Sequence, residues 1–252
     1  MDLSISDILN SLNSINEQCE TTKNKAGYFA ALYKRMTQCV MENIQAGKFE
    51  DGPRMEKLDV IFAQRYLNAY DAYFSQHSCS KSWYHAFESC TNNSLIVLQH
   101  LLIGINTHIN LDLAIAAAEV APGMTIHDLH DDFNRINLLI SSLIDDVQES
   151  LAKVWVPMRI LTRIANGRQI PVLNFSIDKA RDASWANAVL LANMNADQKN
   201  QYISQMDATV CYLGEKIQSP GIPLNMLLPM IRASEYDDVS RTIHLIDTTI
   251  VQ

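Results

Sequence analysis

A chain of 252 residues with a net charge of −8, 20 Lys and Arg against 28 Asp and Glu, carries no basic cluster able to neutralise a phosphate backbone, so no nucleic-acid partner is expected. Eight glycines and seven prolines beside 48% apolar residues favour long uninterrupted helices over a turn-rich β fold. Five cysteines, an odd number with no C-x-x-C spacing, read as reduced thiols of a cytoplasmic protein, and the acidic, amphipathic N-terminus does not read as a signal peptide.

Leu3, Ile5, Ile8, Leu9, Leu12 and Ile15 recur with a helical period. After a polar break at residues 20–25, a second helix is expected from about Tyr28 to Ile44, ended by Gly47, because glycine tolerates the left-handed conformation common at helix ends. Asp51 and Pro53 suit the cap and an early position of a third helix, whose Leu58, Ile61, Phe62, Tyr66, Ala69 and Tyr73 form one side. Residues 75–82 read as a loop, and Trp83 to Ser89 begin another helical piece. Its aromatic residues Trp83, Tyr84 and Phe87, with Tyr66, Tyr70, Tyr73 and Phe74 before them, read as core packing, the alternative being a ligand cage.

The chain is organised around the stretch from Ser94 to Val120. Its first eighteen residues, to Leu111, contain no Asp, Glu, Lys or Arg, yet His100, Asn106, Thr107, His108, Asn110 and Asp112 are set into this apolar run. A buried polar group without a partner costs on the order of 1–3 kcal/mol, so several in one helix must pair with each other, with water or with a ligand. The run is long enough to cross a bilayer, but its asparagines, glutamine and histidines argue against a membrane span. His108 and Asp112 stand one helical turn apart on the same side and suit either joint ligation of a cation or an acid/base pair with an oriented imidazole. His100 lies two turns away, about 12 Å along the axis. Asn106 and Asn110 pair on the other side, and Gly104 allows a neighbour to approach closely.

After Ala121-Pro122-Gly123, Thr125 with Asp128 resembles a capping box. Phe133, Ile136, Ile140, Leu143, Val147 and Leu151 then form a packing stripe beside His130, Asn134, Asn137, Ser141 and Asp145. His130 and Asp132 are the nearest candidates to complete a nitrogen and oxygen site with His108 and Asp112, one of the two rather than both, because they lie on opposite sides of the helix. Residues 176–194, 196–214 and 224–233 read as closing helices, and Val239 to Gln252 as a strand-like or irregular arm. The expected fold is all-α: one domain over residues 1–252, a multi-helix bundle whose central buried helix carries polar residues.

The segments FEDGPRMEKLDVIFAQRYLNAY, QHLLIGINTHINLDLAIAAAE, DDFNRIN and ARDASWANA, with Trp83 and Phe87 between the first two, resemble an uncharacterised all-helical family of bacterial and fungal proteins. That domain of unknown function is typified by a G-(I/M)-N-A-H-I-N-x-D-L helix, and the likeness runs roughly from Gly47 to Met194. Thr107 stands here where alanine is expected. The resemblance implies that His100, Asn106, His108, Asn110, Asp112, Asp132, Phe133 and Asn137 share one pattern, and it brings no activity with it.

Nucleophile-elbow, Walker, dinucleotide-binding and H-E-x-x-H motifs are absent. The leading expectation is a soluble helical protein with a buried His/Asp/Asn site; a divalent metal held there with an open position would turn bound water into a nucleophile and make the chemistry hydrolytic. His108 and Asp112 serve as the catalytic pair; His108, Asp112, His130 and Asp132 are the candidate ligands of a divalent metal, zinc, manganese or iron. His100, Asn106, Asn110 and Asn137 line the site beside a small-molecule ligand. Two alternatives stand beside it: a non-enzymatic helical module fixed by a polar network, and a binder of a small apolar metabolite.

Overall fold

The computed structural model describes residues 3–136, 177–222, 224–235 and 237–248, and among them there is no strand. The helices are α1 (Ile5–Thr22), α2 (Ala26–Gln45), α3 (Gly52–Phe74), α4 (Lys81–Ser89), α5 (Val97–Thr107) and α6 (Ala114–Val120). They continue with α7 (residues 130–136), α8 (Ile177–Ala192), α9 (Ala196–Gln218), α10 (Leu224–Arg232) and α11 (Val239–Asp247).

Their ends follow from local chemistry. Ser4 and Asp7 form a capping box at the start of α1, Asp51 accepts from the Arg54 amide at the start of α3, and Ser80 accepts from the Trp83 amide at the start of α4. Lys23, at φ 54°, ends α1 in the left-handed conformation, and Gly47, at φ 66°, follows the last turn of α2. Three further carboxylates reach across the bundle to amides that helix geometry leaves open. Asp207 of α9 accepts from the Lys81 and Ser82 amides at the head of α4. Glu235, after α10, accepts from the Val97 amide that opens α5. Asp132 of α7 accepts from the Glu50 and Asp51 amides just before α3. Each of these bonds ties sequence-distant elements together, and those of Asp207 and Glu235 also cap a helix.

The central run from Val97 to Val120 is apolar and long enough to cross a membrane, but 94% of its most apolar window is buried inside the bundle, as in a core helix. Helices α2, α4 and α9 pack on α5, and α3 and α8 pack on α6. α1 lies outside α2 and α3, and α11 lies against α1 and α2. Gly104 permits the approach of α2: a Cβ there would stand 2.6 Å from the ring of Phe29. The buried apolar side chains form one continuous cluster.

Two expectations change. The tail is not a strand-like arm: Asp238 caps α11, whose Val239, Ile243 and Ile246 are buried against α1 and α2. Amphipathic spacing at three and four residues outweighs the β-branched composition. Thr125 does not cap a helix either. Its hydroxyl donates to the Pro122 carbonyl within a 3₁₀ stretch, Gly123–Leu129, and α7 begins only afterwards. Ile140, Leu143, Val147 and Leu151 lie outside the described residues.

Candidate functional site

The central run does not keep one helical geometry. Between α5 and α6 the turn widens into a π-helix over His108–Leu113, a rare form that occurs mostly as single turns, often at functional sites. Both His108 and Asp112 belong to it. His108 Nδ1 lies 3.1 Å from Asp112 Oδ2, so the expected pair of neighbours forms. Trp83 Nε1 of α4 donates to the same oxygen at 2.8 Å, and Arg65 Nε of α3 donates to Oδ1 at 3.0 Å. Asp112 is 1% exposed, and three donors from three segments satisfy its carboxylate.

The His108 ring is enclosed by aromatic side chains. It stacks on Phe62 with centroids 3.6 Å apart and meets Tyr33 edge-on at 4.3 Å, with Phe29 at 5.6 Å and Trp83 at 6.0 Å. Burial lowers its pKa against the opposing pull of Asp112, which holds the imidazole neutral at pH 7. Since the carboxylate only accepts, Nδ1 carries the proton and Nε2 keeps its lone pair. That Nε2 is buried and has no hydrogen-bond partner.

The other candidates divide. Asn110 Nδ2 donates to Asn106 Oδ1 at 3.1 Å, and Asn106 Nδ2 donates to the Val210 carbonyl of α9. The asparagine pair therefore bridges the central run to α9. His100 lies against Tyr28 of α2, with both ring nitrogens unpartnered, and burial drives its pKa down to about 3. Asp132 is fully buried, but besides the two amides it binds Arg54 and Arg135, the work of a structural anchor. Those bonds hold its carboxyl below the ordinary carboxylate range, against the effect of burial. His130 is half exposed and sits on Trp185, 4.7 Å between ring centroids. Asn137, with Ser141 and Asp145, lies outside the described residues.

This arrangement does not unite His108 and Asp112 with His130 or Asp132. Among the described residues, no three His, Cys, Asp or Glu side chains come close enough together to hold a metal ion. A cation on Asp112 would compete with Arg65, Trp83 and His108 for its oxygens. The donors present suit a hydrogen-bonded carboxylate better than a metal.

Several participants escape a reading of the sequence alone. Arg65 and Trp83 are 47 and 29 residues from Asp112, and only the packing of α3 and α4 brings them in. Of the aromatic group, Tyr66, Tyr70, Trp83 and Phe87 are buried, whereas Phe74 and Tyr84 are 39% and 55% exposed. A usable signal did exist at Asp59: it precedes Phe62 and Ala63 by one helical turn on the buried side of α3, an acid inside an apolar stripe.

No curated protein matches the chain, and no solved structure does. A sequence profile does match over residues 5–220, wider than the stretch from Gly47 to Met194 that carries the visible motifs. It takes in α1 and α2, which pack around the central run, and stops before α10 and α11. The chain belongs to DUF5995, a family of unknown function.

Proposed function

We propose that this is a non-enzymatic helical module in which the Asp112 network sets the register of α3, α4 and the central run. One observation carries the reading: Asp112 accepts from Arg65, Trp83 and His108, so both oxygens of its carboxylate are paired within the protein. A buried pair with its remaining sites satisfied favours one packing over its competitors, since shifting any of the three segments strands a charge. The experiment is metal analysis of chelator-free protein together with unfolding of His108→Ala. The module reading expects no stoichiometric metal and a large loss of stability. About one equivalent of zinc, manganese or iron, lost in the variant, would restore the hydrolase.

The orphaned Nε2 of His108, placed in a π-helical turn, favours a second reading. Here the aromatic surround is the wall of a site for a small apolar metabolite bearing one hydroxyl, which donates to Nε2. A thermal-shift screen of apolar alcohols tests it. A hit that Trp83→Phe or Tyr66→Phe abolishes supports binding, and a screen with no hits leaves the module.

A further inference from the structure

A second group of buried polar atoms lies behind the aromatic surround of His108. Between α2, α3 and α8 there is a small cavity of about 20 Å³, lined by Tyr33, Thr37, Asp59, Phe62 and Arg181 among apolar neighbours. Tyr33 is 1% exposed, Thr37 0% and Asp59 5%. Asp59 Oδ2 is buried without a hydrogen-bond partner, and the Tyr33 and Thr37 hydroxyls, close to each other, make no hydrogen bond of good geometry. Left dry, each of these atoms costs on the order of 1–3 kcal/mol, and three around one void call for a common occupant.

Size and chemistry select it. A void needs roughly 10–15 Å³ to admit one water, whereas organic ligands occupy sites of about 300–1,000 Å³. A metal cation would find a single carboxylate and, on the same cavity wall, the guanidinium of Arg181. Water offers two donors and two acceptors, enough for a phenol, an alcohol and a carboxyl together. Burial, with Glu56 adding to it, brings the Asp59 carboxyl up to about 7, so in its acid form the group also has a proton to donate.

We propose that one water molecule is bound in this cavity and bridges Tyr33 Oη, Thr37 Oγ1 and Asp59 Oδ2. The site joins α2 to α3 directly behind the rings that hold His108, since Tyr33 and Phe62 both line the cavity and both touch the imidazole.

Two measurements test it. A crystal structure fine enough to show ordered solvent is expected to place a single water within hydrogen-bond distance of all three oxygens. In solution, magnetic relaxation dispersion counts long-lived internal waters, and the count is expected to fall by one in Asp59→Leu. Thr37→Val serves the same purpose should the leucine variant not fold, because it removes one anchor at nearly constant volume. An empty cavity, density that is not water, or an unchanged water count in the folded variant would each overturn the proposal.

Discussion

The imidazole of His108 lies flat on the ring of Phe62, 3.6 Å between centroids and 10° between planes. Asp112 fixes the ring's rotation through Nδ1, and the stack fixes its plane. A ring held this way has one tautomer. In ¹⁵N NMR, His108 is expected to show a protonated Nδ1 and an unprotonated Nε2, unchanged from pH 8 down past its ordinary value of 6.5. A midpoint near that value would mean that water reaches the ring.

His100 gives the companion pH effect. Its pKa falls from 6.5 to about 3 in the folded chain, so below pH 6.5 the unfolded chain takes up a proton that the folded one refuses. The associated stability is complete above pH 6.5 and is lost progressively as pH drops toward 3. Replacing His100 by Gln, which cannot titrate, should flatten the fall in denaturation midpoint between pH 6.5 and 5.

Asp59 works in the opposite direction. Its carboxyl rises from 3.8 to about 7 on folding, so between those values the folded state holds a proton that the unfolded chain has released. Its contribution is therefore most favourable below pH 4 and is lost as pH climbs through 7, on the order of 4 kcal/mol at about 1.4 kcal/mol per unit. Asp59→Asn is expected to stabilise the protein most at pH 8, by a smaller margin at pH 5 and little below pH 4, as read from urea midpoints across that range. Equal effects throughout would place Asp59 in contact with bulk solvent.

Gly104 has no room for a side chain. A methyl group there would stand 2.6 and 2.7 Å from two ring carbons of Phe29, which is itself wedged against Trp83 and His108. Gly104→Ala should cost roughly 1–3 kcal/mol, the usual penalty for overpacking a tight core, despite alanine's better helix propensity. Phe29→Leu in the same chain should recover part of the loss, and calorimetry of the two variants checks this.

The caps that cross the bundle predict a loss out of proportion to one side chain. Asp207 accepts from the Lys81 and Ser82 amides and from the Ser82 hydroxyl, at 2.6–2.9 Å. Asp207→Ala leaves all three donors without their partner and should cost about 1–3 kcal/mol. Hydrogen exchange should show the opening concentrated in α4, whereas exchange raised evenly along the chain would contradict a capping role.

Contacts made within one helix are written in its period. Uncharged residues broken only by small polar ones mark the central run, and spacing by four gives both the His108–Asp112 and the Asn106–Asn110 pairs. Arg65, Trp83 and Val210 are not legible in the same way, because their meeting depends on how helices far apart in sequence pack together. Asp132 depends on packing in the same way: apart from Arg135, its partners, backbone amides before α3 and Arg54, are not visible beside it in the sequence pattern. The π-helical turn is not legible in the spacing, because Ile109, Leu111 and Leu113 lie in a continuous apolar run with the α-helical residues on either side.

The most direct test of the central reading is the unfolding free energy of Asp112→Ala, measured beside the metal content of wild type and variant. A structural network predicts a loss of about 1–3 kcal/mol for each of the buried Trp83 and His108 donors left unpaired, with no stoichiometric metal in either protein and no stabilisation by added zinc, manganese or iron. One equivalent of metal in the wild type that disappears in the variant would contradict it, and so would a variant as stable as its parent.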